Sequence, residues 1–237
     1  MEILRLESLT KVLKTLAQAY PLTEFFDWDI PESCPLTFPN NLSNQYERNI
    51  YLKHHYKDHI AAGDSLDSKY WIIQNWGGIR SFKSNERNDS LLKKLDSELK
   101  ACKLTRPTFS VISSISKVAS FINHNEYAIY DSRVIYSLNW LLFKHTNTTS
   151  LYPQPSGRNA ELAKFDLVTI FNLSNKNISL KSHKTAYFDY CSLMKDLSKE
   201  VYGRPEPYHV EMLLFLIATK HIVSDISDSI NLTLERA

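Results

Sequence analysis

Lys117 and Asp131 are the two residues whose types and spacing could do chemistry together. A lysine amine can attack an electrophilic carbon. A carboxylate can stabilise the positive charge that builds up as a bond to carbon breaks. Both lie in the stretch 111–141, VISSISKVASFINHNEYAIYDSRVIYSLNWL, which reads as helix, loop, helix. Val118, Phe121 and Ile122 recur at helical spacing behind Ser116 and Lys117. Asn123-His124-Asn125-Glu126 is polar turn material that ends this helix. Tyr127 to Tyr130 is short, apolar and extended. Asp131 then stands as the N-cap of a helix carrying Val134, Leu138 and Leu141. An acid is thus expected at the mouth of one helix, with a lysine on the helix before it. Each residue also has a plain structural use, Asp131 as a cap and Lys117 as a surface or phosphate-binding cation.

The rest of the chain must position this stretch. Apolar Leu4, Leu9, Val12, Leu13 and Leu16 predict a first helix over 4–19, stopped by Pro21. Residues 21–44 hold four prolines and Asn40-Asn41, and read as an extended arm. A second helix is predicted over 45–62. It carries His55 and His59 four residues apart, a spacing that could share a metal, but no third ligand is evident and non-ligating histidines are the expectation. An apolar helix through Trp71 and Trp76 follows, and Gly77-Gly78 permits a turn or a close backbone contact. Residues 90–101 form a charged amphipathic helix, broken between Lys103 and Thr108. Beyond the organising stretch, 160–172 reads as helix, though Leu167 to Phe171 could pass for a strand. Helices are predicted over 184–201 and 208–222, the latter introduced by Pro205 and Pro207, and the remainder is a polar tail.

At 237 residues the chain can bury a substantial core. Its 43% hydrophobic and 23% charged content is that of a globular protein, and five glycines argue against a turn-rich β-sandwich. Three scattered cysteines (Cys34, Cys102, Cys191) make neither a disulfide framework nor a zinc ribbon. The first residues lack the continuous apolar run of a signal peptide, and no run approaches a membrane span. The expected location is cytoplasmic, with no membrane association and no cofactor. Net charge is only +2, but its distribution is uneven. Between Arg80 and Lys117, nine basic residues (Arg80, Lys83, Arg87, Lys93, Lys94, Lys100, Lys103, Arg106, Lys117) face four acids (Glu86, Asp89, Asp96, Glu98). Such an excess fits a phosphate-facing surface, or else a solvated helix face.

The stretch resembles the helix-hairpin-helix DNA glycosylases, the superfamily of endonuclease III and the oxoguanine glycosylases. Ser114-Ile115-Ser116-Lys117-Val118-Ala119 stands where the family carries its Gly-Val-Gly-x-Lys hairpin, with serine replacing the glycines. Tyr130-Asp131-Ser132-Arg133-Val134 stands where it carries the run with its catalytic aspartate, Arg133 replacing the usual histidine. The four-cysteine iron–sulfur loop of some members is absent. The likeness covers about thirty residues.

The resemblance implies a mainly α, two-lobed helical domain with a deep cleft between the lobes. The expected division is an N-terminal helix and arm (1–44) packing with the C-terminal lobe, a lobe ending in the hairpin (45–125), and a C-terminal lobe (126–237). It implies an enzyme that flips a base out of duplex DNA and cleaves its glycosidic bond, with Asp131 stabilising the sugar cation and Lys117 open to a lyase role. It further implies Phe121, Tyr127, Tyr130 and Arg133 around the extruded base, and the amides of Ile115, Ser116 and Lys117 on a phosphate. Ile79, Arg80 or Phe82 would be the wedge in the base stack, and Arg158 would reach phosphate. The target base is unread; a bulky, hypermodified cytosine in foreign or phage DNA, and hence an antiphage role, is one expectation. Two rivals stand beside this reading. One is a non-catalytic DNA-binding protein on the same helices, and the other is a helical protein-interaction domain.

Overall fold

Two helices buried on nearly every side, α9 (Ser132–His145) and α12 (Tyr208–Ile217), pack against each other at the centre of the molecule. Residues Val134 to Leu142 of α9 are all buried, as are Tyr208 to Leu214 of α12. Helices apolar all round belong in a core rather than on its surface. Ser137 donates to the Leu214 carbonyl at 2.8 Å and ties the two together. Helix α1 (Glu2–Ala19) packs on α9, α12 and α11 (Ala186–Tyr202), and α11 packs on α12. The computed structural model describes residues 2–61, 66–174 and 176–231. The side chain of Leu4, which the apolar stripe of α1 includes, lies outside the described residues.

A second group of helices gathers around α8 (Ile112–Ile122), whose residues Ser114 to Phe121 are all buried. It packs on α3 (Gln45–His55), α4 (Lys57–Ala61), α6 (Glu86–Lys100), α7 (Arg106–Phe109) and the wide π turn Ile72–Trp76, which continues α5 (Asp67–Trp71). The architecture is mainly helical. Sheet is limited to one parallel pair, β1 (Ser150–Leu151) with β2 (Ser179–Leu180), among the described residues.

Several elements differ from the sequence reading, each for a local reason. The helix predicted over 45–62 is broken at Tyr56 into α3 and α4, and its expected last residue, Ala62, lies outside the described residues. Helix α6 begins at Glu86 because the Asn85 side chain accepts the Asn88 amide and starts the turn early. The expected break before Thr108 contains α7, with Pro107 in its first turn, a position that costs no hydrogen bond. Leu167–Leu173 is helix α10 rather than strand, since Asp166 caps it through the Val168 and Thr169 amides. The expected polar tail contains α13 (Val223–Ser229). Its Asp225 accepts from Trp140 Nε1 at 2.7 Å and Lys144 Nζ at 2.6 Å. The arm before α3 is not a free connection either. It contains α2 (Leu22–Phe25), which packs on α3 and α12. No helix among the described residues is long and apolar enough to cross a membrane.

Candidate active site

The position of Asp131 is set by the extended segment 128–130, which is buried without being part of any sheet. Buried backbone groups need partners, and here side chains supply them all. Ala128 N–H meets Cys191 Sγ at 3.4 Å, and the Ala128 carbonyl accepts from Tyr187 at 3.0 Å. Ile129 N–H donates to Glu211 Oε2 at 3.4 Å, and its carbonyl accepts from Tyr190 at 2.7 Å. Tyr130 N–H donates to Ser116 Oγ at 2.9 Å, and its carbonyl accepts from Ser113 Oγ at 3.4 Å. Burial raises the hydroxyl pKa of Tyr187 and Tyr190 well above the ordinary range, so both stay neutral donors. The segment delivers Asp131 to the start of α9, where Oδ1 caps the helix by accepting the Arg133 amide at 2.9 Å.

Asp131 Oδ2 is left facing Lys117 Nζ across 3.7 Å. That is an ion pair too long for a direct hydrogen bond, so each group keeps bonding capacity for a third party. Lys117 projects from the middle of α8, and its stem is confined by Gly77. A Cβ at Gly77 would lie 2.5 Å from Lys117 Cδ and 2.7 and 2.8 Å from the carbonyls of Ile72 and Ile73. Gly78 serves the other expected purpose. At φ +70° it reverses the chain, and the Ile79 amide returns to the Ile73 carbonyl at 2.9 Å.

Lys117 and Asp131 open into a cavity of about 900 Å³, at the large end of the range for small-molecule sites. Four arginines from four segments line it: Arg80 after the π turn, Arg87 in α6, Arg133 in α9 and Arg158 in the loop before α10. Arg80, Arg87 and Arg158 are exposed, whereas Arg133 is half-buried with its guanidinium 4.7 Å from the Phe215 ring centre. The Arg158 loop is moored to α9 by Gln154, which donates to the Ser132 carbonyl at 2.7 Å, and by Gly157, where a Cβ would collide with the Ser132 side chain.

Aromatic wall comes from the N-terminal arm. Phe26 and Trp28 reach the cavity beside Trp76 and Phe215. A closed circuit fixes Trp28: its Nε1 donates to the Trp76 carbonyl at 2.9 Å, Trp76 Nε1 donates to Asn49 Oδ1 at 2.8 Å, and Asn49 Nδ2 donates to the Trp28 carbonyl at 2.7 Å. Two further charges lie beneath. Lys53 of α3 and Glu211 of α12 both line the cavity, both are buried, and their charged atoms are 4.0 Å apart. Burial pulls the Lys53 amine down to about 8 and raises the Glu211 carboxyl above the usual carboxylate range.

The structure brings Asp131, Lys117, Arg133, Arg80, Ile79, Phe82 and Arg158 to one cavity. Other expected residues lie elsewhere. Phe121, expected against an extruded base, is fully buried, edge-on to Trp76 and Tyr56 with the Lys53 ammonium over its ring. Tyr130 is buried, donating to the Pro153 carbonyl at 2.8 Å, and Tyr127 stacks on Tyr187. Ile115 and Ser116, expected to offer amides to phosphate, are interior to α8, where Ile115 N–H is already bonded to the Val111 carbonyl. The helix start that lines the cavity is Ile112 and Ser113. Of the three wedge candidates Phe82 is buried, Ile79 half-buried and Arg80 exposed. His55 lies against Tyr51 within α3, and His59 of α4 lies against Tyr56, which stands between the two helices.

No family model, no curated protein and no solved structure matches this chain. Phe26, Trp28, Phe215, Arg87, Lys53 and Glu211 are the functional candidates that sequence reasoning missed. For Glu211 one signal was available, a charged residue in a buried and otherwise largely apolar helix.

Proposed function

We propose that this chain is a DNA glycosylase that extrudes one nucleotide from a duplex and breaks the bond between its base and C1′ of the sugar. The observation that carries the reading is the pairing of Lys117 with Asp131 at 3.7 Å inside a cavity rimmed by arginines. Arg80, Arg87 and Arg158 suit the phosphates on either side of an extruded nucleotide. Trp28, Phe26 and Phe215 offer flat apolar surface for the base, and the Arg133 fork suits a polar substituent on it. On this reading the helices form the two-lobed glycosylase fold, and the protein works on cytoplasmic DNA. A cavity this large favours a bulky modified base, such as a hypermodified cytosine of foreign DNA.

Positive charge grows on C1′ and the ring oxygen as the C1′–N bond breaks, and the electron pair leaves with the base. The Asp131 carboxylate stabilises that cation. In hydrolysis a water adds to C1′, its proton passes by way of Asp131 to the departed base, and an abasic sugar remains. In the lyase branch the Lys117 ammonium gives a proton to the departing base, and the free amine then adds to C1′ instead. Loss of the amine proton and opening of the sugar ring give an imine, and β-elimination then expels the 3′ phosphate and nicks the strand.

The deciding experiment incubates the protein with duplexes carrying oxidised, alkylated, mismatched or hypermodified bases and measures free base and alkali-labile sites. Asp131→Asn keeps the cap but not the charge, so release should fall by about 10²–10³-fold. Lys117→Ala should abolish borohydride-trappable adducts if the lyase branch operates. Salt-sensitive binding with no release from any duplex would favour the rival DNA-binding protein. That rival draws on one observation: capping of α9 and pairing with Lys117 already give Asp131 a structural use.

A further inference from the structure

The Lys53–Glu211 pair has no place in the steps above, yet it sits under both reacting groups. Ions are expensive to bury, and an apolar pair of similar volume would stabilise a core at least as well. A pair retained at the floor of a cavity therefore points to use there. The connections of each partner indicate what the use is.

Glu211 Oε2 receives the Ile129 amide at 3.4 Å. Ile129 is two residues before Asp131, and its carbonyl is gripped from the other side by Tyr190. Lys53 Nζ donates to Ser120 Oγ at 3.2 Å, and Ser120 Oγ donates to the carbonyl of Lys117 at 2.8 Å. One member of the pair thus reaches the backbone that carries the acid, and the other reaches the backbone that carries the amine. The ion pair closes the circuit between them at 4.0 Å. Trp76 and Phe121 enclose the Lys53 ammonium with their ring faces at 5.4 and 5.1 Å, which leaves it little freedom to move.

We infer that Lys53 and Glu211 are positioning residues for base release, a buried ionic brace that holds Asp131 and Lys117 at their working separation. This rests on the glycosylase reading. The brace requires both charges. The charged and titratable groups facing it are Lys117 on α8, Asp131 at the head of α9, and Tyr190 and Cys191 on α11. Burial holds Tyr190 and Cys191 neutral. Burial lowers the Lys53 pKa, so its ammonium loses its proton at a lower pH than an exposed lysine would, and Glu211 is then a buried carboxylate without its counter-ion. Base release should therefore decline as the pH rises through the Lys53 pKa.

The test compares wild-type protein with Glu211→Gln, Lys53→Arg and the double variant Lys53→Met/Glu211→Leu. The double variant leaves no unpaired buried charge and so guards against simple unfolding. Melting temperature, affinity for an uncleavable duplex and single-turnover release are measured across pH 6–9. The inference expects duplex affinity to be kept in every folded variant. Release should fall by about 10²-fold in Glu211→Gln and in the double variant, since small displacements of reacting groups cost that much. The alkaline decline should vanish in the double variant, and Lys53→Arg should recover most of the rate. A folded double variant with the wild-type rate and pH profile would overturn the brace while leaving the glycosylase intact. A wild-type protein that releases no base from any duplex would overturn the glycosylase reading, and the brace with it.

Discussion

Gly77 and Lys117 occupy adjoining space with no room for one more carbon: a methyl group on Gly77 would stand 2.5 Å from Lys117 Cδ. Two fixed carbonyls at 2.7 and 2.8 Å close the other side, so the added carbon has to displace the lysine. Gly77→Ala should cost about 1–3 kcal/mol of stability, the usual range for overpacking. It should also pull the amine out of register with Asp131. Gly78→Ala is the control, since it strains a φ of +70° but meets no atom within 4 Å. Thermal melts paired with release rates separate the two. Equal activity in both variants would mean that Lys117 is not positioned by this contact.

The second prediction concerns the mooring of residues 128–130. Tyr190→Phe removes the donor to the Ile129 carbonyl and leaves that oxygen buried and unpaired, at a cost of about 1–3 kcal/mol. Tyr136→Phe is the comparison, because its hydroxyl serves the Phe165 carbonyl and none of the backbone of 128–130. Denaturant unfolding should show a loss in both, and DNA processing should suffer only in Tyr190→Phe. If the two behave alike, the mooring is structural and no more.

Arginines that meet phosphate should reveal themselves through salt. Each phosphate contact contributes close to one unit to the slope of log affinity against log salt. Arg80→Ala and Arg158→Ala should therefore each flatten that slope by about 0.9 on duplex DNA. Arg133 lies over Phe215 and is half-buried, so Arg133→Ala should change the choice of base more than the slope. Fluorescence anisotropy over a salt series reads both, and unchanged slopes would remove the exposed arginines from the DNA contact.

Acid should weaken the fold through a group of histidines away from the cavity. His54 stacks on His124, and His209 accepts or donates a 2.6 Å bond with Tyr46. Burial lowers all three pKa values, to about 4 for His124 and His209. The unfolded chain takes up these protons near 6.5, before the folded one does. The stability from neutral imidazoles is thus complete above pH 6.5 and lost as the pH falls towards 4. His124→Phe keeps the ring stack without the titration, so its melting temperature should fall less between pH 7 and 4.5. Parallel curves for variant and wild type would rule out this histidine.

What the sequence made legible was local. Asp131 as a cap, and the Gly77-Gly78 pair as one turn and one close contact, follow from rules that act over three or four residues. The cavity itself was not legible. Trp28, Lys53, Phe215 and Glu211 come from distant parts of the chain, and nothing in a neighbouring residue marks any of them as facing the same space. Phe121 shows the limit within one helix. It is one turn from Lys117 and shares its side of α8, but Trp76 and Tyr56 cover that turn. Helical spacing gives the face, and only the packed neighbours decide how deep along it the solvent reaches.

Residues 128–130 have no hydrogen-bonded neighbour strand, and each of their backbone groups is satisfied by a side chain from α8, α11 or α12. The acid's location is therefore a property of the finished assembly. A chain with its helices formed but not yet docked would carry Asp131 on an unmoored tether. Competence should then appear with the last cooperative step of folding, and partly folded forms, however helical, should be inert.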